Sequence, residues 1–330
     1  MSGMRAVVMA AHGPPEVLQM QQLPLPAPGP GQVRIRVAFA GMNPLDAVVR
    51  RQPLAWLPIK LPFTPGIEHT GVVDAVGPDV DAQWIGRRVL SRLGFGGYAE
   101  YSIAPVAGLL AVPQGMSLRD GCAYRGCTYT AWHALHKVGR LRAGERVLVH
   151  SAAGAVGCMA MQIARDAGCQ AVGVCGGPAK AAWLHAFGCD EVVDYLRADW
   201  PQQALQLTAG RGFDVILDGN GGPNAAHNID LAARLGRIVY IGATAGADPA
   251  PIPVATLILK SIAVAGMSLR QVEEPPGSAA DQEIVAAILS GRWKLPISEV
   301  VPLAAVADLH RRLEARQVRG RAVIEVGGEL

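Results

Sequence analysis

Arg146-Val-Leu-Val-His150 runs directly into Ser151-Ala-Ala-Gly-Ala-Val-Gly157, and the residues that follow set Val156, Met159, Ile163 and Ala167 on one face of a helix. An apolar strand, a tight loop of small residues and an amphipathic helix, in that order, open a βαβ unit. Gly154 lets the backbone approach a pyrophosphate, and Gly157 lets the helix pack close to the strand. The helix N-terminus offers oriented N–H groups to an anion. Ala152 stands where the usual fingerprint has its first glycine, so the loop alone reads equally as a dinucleotide site or an ordinary tight turn. The order of strand, loop and helix decides for the dinucleotide.

The chain on either side of this stretch has two different rhythms. Downstream, apolar strands at 170–174, 191–194, 213–218 and 237–241 alternate with helix-length segments, the pattern of a doubly wound parallel α/β sheet. Upstream, short strands at 5–9, 33–38, 71–76, 88–90 and 98–103 are broken by turn residues such as Pro24, Pro26, Pro28 and Gly29, which predicts an antiparallel, barrel-like domain. After the sheet come a strand at 262–265, a polar loop at 271–281, helices at 282–289 and 303–314, and a last strand at 322–326. This tail is expected to fold back on the first domain. The predicted division is therefore 1–127 with 266–330 for the barrel-like domain and 128–265 for the nucleotide-binding domain, and a chain of 330 residues is long enough for two cores. The loop at 271–281 reads equally as a lid or as a surface turn.

Composition narrows the function. Half the residues are apolar, and the net charge of +3 is spread without a basic block, which argues against a nucleic-acid partner. Pro251, Pro253 and Lys260 interrupt the most apolar stretch below the roughly 18 residues of a membrane span. The apolar run at 6–11 is too short for a signal sequence, so a cytoplasmic protein with no membrane partner is expected. Cys122, Cys127, Cys158, Cys169, Cys175 and Cys189 form no Cys-x-x-Cys pair and read as reduced, buried thiols.

The end of the strand at 170–174 bears on the choice of cofactor. An Asp or Glu there would accept from the ribose hydroxyls of NAD. The chain instead has Cys175, Gly176, Gly177 and Pro178, with Lys180 just beyond, which favours the 2′-phosphate of NADPH. The plain alternative for Lys180 is a solvated helix lysine.

Gly31-Gln-Val-Arg34, Gly41-Met-Asn-Pro-Leu-Asp46, Gly66-Ile-Glu-His-Thr-Gly71, Val76-Gly77, Gly97-Tyr-Ala-Glu-Tyr101, Ser151 to Gly157, Ile241-Gly242 and Arg319-Gly-Arg-Ala-Val323 occur in that order. Together they resemble the medium-chain dehydrogenase/reductases and, within them, the zinc-free quinone oxidoreductase branch typified by zeta-crystallin. The likeness covers nearly the whole chain. It implies a Rossmann domain beside a GroES-like, mainly antiparallel β-barrel catalytic domain.

Zinc-dependent relatives place Cys, His and Cys where this chain resembles them with Asn43, Ile67 and Tyr124, so the resemblance implies no metal. His69 beside Glu68 and Cys127 beside Thr128 are offset from those positions. His133 and His136 stand at helical spacing, more simply read as one core and one surface histidine.

The resemblance also assigns site residues. Asn43 and Thr128 would contact the nicotinamide end, and Ala153, Gly154, Ala155 and Val156 the pyrophosphate. Gly177, Lys180 and Tyr195 would hold the 2′-phosphate, although Tyr195 reads equally as an aromatic packed on the sheet. Gly242, Thr244, Met267 and Leu269 would border the nicotinamide pocket. Asn43 and Asp46 are the candidate polar groups near the acceptor, with Asp46 equally readable as a turn residue bonding its own backbone. The implied activity is hydride transfer from NADPH to a quinone. Reduction of an activated C=C bond in an enone, alkenal or enoyl thioester is the second expectation, and a non-catalytic NADPH-binding protein the third. An apolar edge strand at 262–265 predicts a homodimer.

Overall fold

The computed structural model describes residues 3–92, 94–189, 191–244, 246 and 253–330. It divides the chain into two units, Met1–Tyr124 with Ile297–Leu330, and Arg125–Pro296. From the N-terminus come β1 (Gly3–Met9), β2 (Leu18–Pro24), β3 (Gln32–Gly41), helix α1 (Pro44–Arg51), β4 (Glu68–Val76), β5 (Arg88–Ser91), β6 (Tyr101–Pro105) and β7 (Leu109–Ala111). Helix α2 (Leu118–Trp132) follows, and the division between units falls within it. β1 and β2 form an antiparallel hairpin. β2 was not predicted because it is glutamine-rich and mostly exposed, and β7 because it has only three residues.

The second unit contains β8 (Arg146–His150), α3 (Ala155–Asp166), β9 (Gln170–Cys175), α4 (Pro178–His185), β10 (Val192–Asp194) and α5 (Trp200–Leu207). It continues with β11 (Phe213–Asp218), α6 (Asn228–Leu231), β12 (Ala232–Tyr240), α7 (Val254–Lys260), β13 (Ala263–Gly266), α8 (Leu269–Val272) and α9 (Ala279–Leu289). Its six strands are parallel in the order β10-β9-β8-β11-β12-β13. The central strands are apolar throughout because helices cover both faces. Leu148, Val172, Ile216 and Ile238 are fully buried around Phe213, each contributing roughly 1.5–3 kcal/mol by burial. β13 is the edge strand, as the sequence predicts, and Val264 on it is exposed together with Ile258 and Leu259 of α7.

The division predicted at residue 266 falls at 297 instead. Residues 266–296 stay with the second unit because they are bonded to it. Arg125 of α2 pairs with Glu273 at 2.8 Å and Asp281 at 3.2 Å. Gln162 of α3 accepts from the Lys294 N–H at 2.8 Å and donates to the Lys294 carbonyl at 3.0 Å. The segment at 271–281, expected as a plain loop, begins inside α8 and is anchored to α2 by the Arg125 pairs.

The chain ends in β14 (Ile297–Pro302), α10 (Val306–Glu314) and β15 (Arg321–Glu325), which complete a sheet ordered β14-β15-β3-β4-β5-β7, with β6 paired to β3. Val7, Met9, Met42, Tyr98, Leu309 and Ile324 are among its buried core. Its register sets three distant residues side by side: Gly41 at the end of β3 faces Glu68 on β4 and Val323 on β15. Among the described residues no helix is long and apolar enough to cross a membrane.

Candidate active site

β8 ends at His150, the backbone turns at Ser151 with φ 51°, and Gly154 precedes the first turn of α3. A Cβ on Gly157 would lie 2.7 Å from Ala152 Cα and closer still to the Ser151 carbonyl, so only glycine lets α3 approach β8 this closely. The backbone groups of Gly154, Ala155 and Val156 stand half-buried at the helix start, whereas Ala153 is buried. This loop lies at the point where strand order reverses between β8 and β11, the place where open α/β sheets form a ligand crevice.

Three strand ends meet there through side chains. Asn220, just beyond β11, accepts at Oδ1 from the Ser151 hydroxyl and from Thr244 Oγ1 at 3.1 Å. Asp218 holds the turn by accepting from the Asn220 and Gly221 N–H groups at 2.8 and 3.0 Å. Its other oxygen accepts from Asn228 Nδ2 at 2.8 Å, and Asn228 Oδ1 lies 2.7 Å from His150 Nε2. Burial lowers the His150 pKa, so its ring is neutral near pH 7 and donates through Nε2. Sequence reading passed over Ser151 and Asn220. The available signal was Asp218-Gly-Asn-Gly-Gly222 at the end of a strand next to the fingerprint strand. Gly242 is exposed with its α-carbon close to the Gly219 carbonyl, since a Cβ would stand 2.8 Å from it.

At the end of β9 the structure brings Gly177, Lys180 and Tyr195 together. Gly177 has φ 82° and donates its N–H to Asp194 Oδ1 at 3.0 Å, an oxygen that also accepts from the Leu196 N–H at 3.0 Å. A Cβ on Gly176 would lie 2.8 Å from the Tyr195 hydroxyl, so the glycine admits the phenol ring. Lys180 is half-buried in the first turn of α4.

Two other predicted residues in this unit are turned inward. Thr128 is wholly buried in α2, and Met267 is buried with its N–H bonded to the Tyr240 carbonyl at 2.8 Å. That leaves Met267 only its carbonyl to offer a ligand. Leu269 opens α8, half-buried.

In the first unit, Asn43 precedes α1 with its carboxamide half-buried. Arg321 Nη1 donates to Asn43 Oδ1 at 2.8 Å, while Nη2 donates to Glu68 Oε2 and to the Cys122 carbonyl at 3.3 Å. Asn43 Nδ2 is left with longer contacts, 3.2 Å to the Gly41 carbonyl and 3.4 Å to Glu68 Oε2. The expectation of Asp46 as a polar group at the acceptor is corrected. Asp46 is fully buried, and its carboxylate accepts from the N–H groups of Asn43 at 3.0 Å and of Gly66 and Ile67 at 3.1 Å each. Burial lifts its pKa to about 6 against those bonds. It fixes the turn into α1 and has no surface for an acceptor.

The residues do not suit zinc. Asn43 directs its oxygen to a guanidinium, Tyr124 is buried, and Ile67 carries no donor. His69 is buried with Nε2 bonded to Ser102 Oγ at 2.7 Å, and His133 gives Nδ1 to the Tyr129 carbonyl at 2.9 Å. Among the described residues no group of three His, Cys, Asp or Glu is placed to hold a metal.

Comparison with known proteins agrees with this geometry. Residues 29–114 match the family described as the alcohol dehydrogenase GroES-like domain, and residues 155–282 the one described as zinc-binding dehydrogenase. The chain is 31% identical to a quinone oxidoreductase of Pseudomonas aeruginosa over 97% of its own length and 99% of the relative's. It is similar to the solved structure of Escherichia coli quinone oxidoreductase complexed with NADPH, with a TM-score of 0.88 at 26% identity over 97% of this chain and 99% of that one. A solved structure titled as an NAD-dependent alcohol dehydrogenase gives a TM-score of 0.85 at 33% identity, covering 98% of this chain and all of the other.

Proposed function

The chain belongs to the quinone oxidoreductase branch of the medium-chain dehydrogenase/reductases and is an oxidoreductase, and from that premise we propose that it transfers hydride from NADPH to a quinone without zinc. The observation that carries the cofactor assignment is the pocket of Gly177, Lys180 and Tyr195 at the end of β9. There the one nearby acid, Asp194, commits an oxygen to two backbone amides, and the nearby cation suits a phosphate. The E. coli relative solved with NADPH supports the same choice.

The second unit's residues would hold the dinucleotide as follows. The N–H groups of Gly154, Ala155 and Val156 receive the pyrophosphate at the start of α3. The Ser151–Asn220–Thr244 bonds keep three loops at fixed spacing around the nicotinamide end, bordered by Gly242, the Met267 carbonyl and Leu269. When bound, NADPH supplies the hydride.

In the first unit Asn43 offers its carboxamide to the acceptor. Negative charge collects on an acceptor oxygen as hydride adds, and a fixed N–H donor stabilises it there. Water protonates the product, so no buried acid is required, consistent with Asp46 being sealed away. The mismatch of Asn43, Ile67 and Tyr124 with a metal's needs supports the zinc-free reading. The exposed edge of β13 and the apolar side chains of α7 support a homodimer, for which a stable monomer in sedimentation at micromolar concentration would be the contrary result.

The test is NADPH oxidation followed by absorbance with 1,4-benzoquinone, 9,10-phenanthrenequinone, a 2-alkenal and a crotonyl thioester, each with and without a chelator. Turnover with quinones that is indifferent to chelator is expected. Turnover confined to the alkenal or the thioester would move the function to C=C reduction, and inhibition by chelator would overturn the zinc-free mechanism. Cofactor binding with no turnover of any acceptor would make the chain a binding protein.

A further inference from the structure

The Arg321 guanidinium is almost completely buried, yet it belongs to the last strand of the chain, 278 residues from the asparagine it touches. It sits over Gly41, where a Cβ would stand 2.6 Å from the Cys122 carbonyl and closer still to the guanidinium. Glu68, equally buried, balances its charge. A charged group is costly to bury unless it is paired and hydrogen-bonded, and here the pairing ends on a residue of the proposed acceptor site.

A guanidinium carries only donors, so the Asn43 atom facing it is the carbonyl oxygen and its amide nitrogen faces the other way. The contacts of Nδ2 at 3.2 and 3.4 Å are long, which leaves an N–H for a ligand. We propose that Arg321 is a positioning residue that locks the Asn43 carboxamide with its oxygen turned inward, so that Asn43 presents an N–H donor to the oxygen of a bound carbonyl acceptor. This rests on the reading of Asn43 as an acceptor-site residue. The burial of charge has a purpose on this account: an unanchored asparagine can flip and present a lone pair to the developing negative charge, and Arg321 forbids that flip. Glu68 and Gly41 serve Arg321 in turn, one by charge and one by leaving room.

Arg321→Lys keeps a positive charge beside Glu68 and loses the two-armed reach, which limits the risk of unfolding, and thermal melts identify any variant that fails to fold. Steady-state kinetics with 9,10-phenanthrenequinone and NADPH should show kcat lowered about 10-fold or more in Arg321→Lys, with KM for NADPH unchanged. Asn43→Ala should lose at least as much, and the double variant should be no worse than Asn43→Ala alone. Losses that multiply, or an Arg321→Lys enzyme with the wild-type kcat beside an impaired Asn43→Ala, would overturn the role of Arg321. An unimpaired Asn43→Ala beside an impaired Arg321→Lys would instead remove Asn43 from the acceptor site, and the proposal with it.

A second readout needs no turnover. In the cofactor-free protein the Asn43 side-chain NH2 signals, assigned by their loss in Asn43→Ala, should be two resolved amide protons. In Arg321→Lys they should broaden or merge as the carboxamide rotates. Identical signals in both proteins would contradict the lock.

Discussion

The nucleotide end and the acceptor end of the proposed site are held by opposite means. At the nucleotide end each feature is local in the chain: seven residues from Ser151 to Gly157 make the phosphate loop, and five from Gly176 to Lys180 make most of the second pocket. Glycine and backbone do the shaping, through close approach and positive φ. At the acceptor end Asn43, Glu68 and Arg321 come from three distant stretches, and buried charge with side-chain hydrogen bonds fixes them. The first construction fails by steric collision and the second by electrostatic loosening, so substitutions at the two ends should differ in character and in size.

The largest effect is expected at the loop. Gly157→Val would drive a side chain into Ser151 and Ala152 and push α3 from β8. NADPH binding by calorimetry should weaken by at least about 100-fold, with the oriented N–H groups lost to the phosphates. Retained affinity would show that the loop is an ordinary turn. Lys180→Ala comes next and sharpens the assignment within the same end. Affinity for NADPH should drop roughly 10- to 100-fold while affinity for NADH stays put; equal losses for both would place Lys180 away from the 2′-phosphate.

The first unit should answer through pH. Burial lifts Asp46 from its ordinary 3.8 to about 6, so the folded protein holds a proton that the unfolded chain releases between those values. Stability from this group is complete below about pH 4 and is lost as pH rises through about 6. Asp46→Asn should therefore gain in melting temperature relative to wild type as pH goes from 4 to 8, by a few degrees. A difference that is flat with pH would show that Asp46 is not the buried acid described. The smallest effect is expected for Asn220→Ala, which leaves the Ser151 and Thr244 hydroxyls without their shared acceptor. About a 5-fold loss in kcat/KM for NADPH corresponds to one hydrogen bond of ordinary strength; no change would make the cluster incidental to the cofactor.

How far the sequence could be read follows the same division. The strand at Arg146–His150 and its loop were legible because strand, glycines and helix face are adjacent in the chain, and the alternation after them identifies a parallel sheet. Gly177, Lys180 and Tyr195 share a pocket because they lie at neighbouring strand ends. Asp46 was ambiguous because a carboxylate after Asn43-Pro44 serves a turn or a substrate equally well, and only its burial decides. Arg321 and Glu68 could not be found at all, since their meeting depends on the register of β3 with β4 and β15. The tail went astray at 266–296 because the Arg125 pairs and the Gln162–Lys294 bonds are long-range contacts between polar residues that look solvated in sequence.

The most direct test of the account is kcat/KM for NADPH against NADH with 9,10-phenanthrenequinone as acceptor, measured on the wild-type protein. Quinone turnover with NADPH preferred by about 10-fold or more is expected from a charge-assisted contact to the 2′-phosphate. Equal use of the two cofactors, a preference for NADH, or no oxidation of either would contradict it.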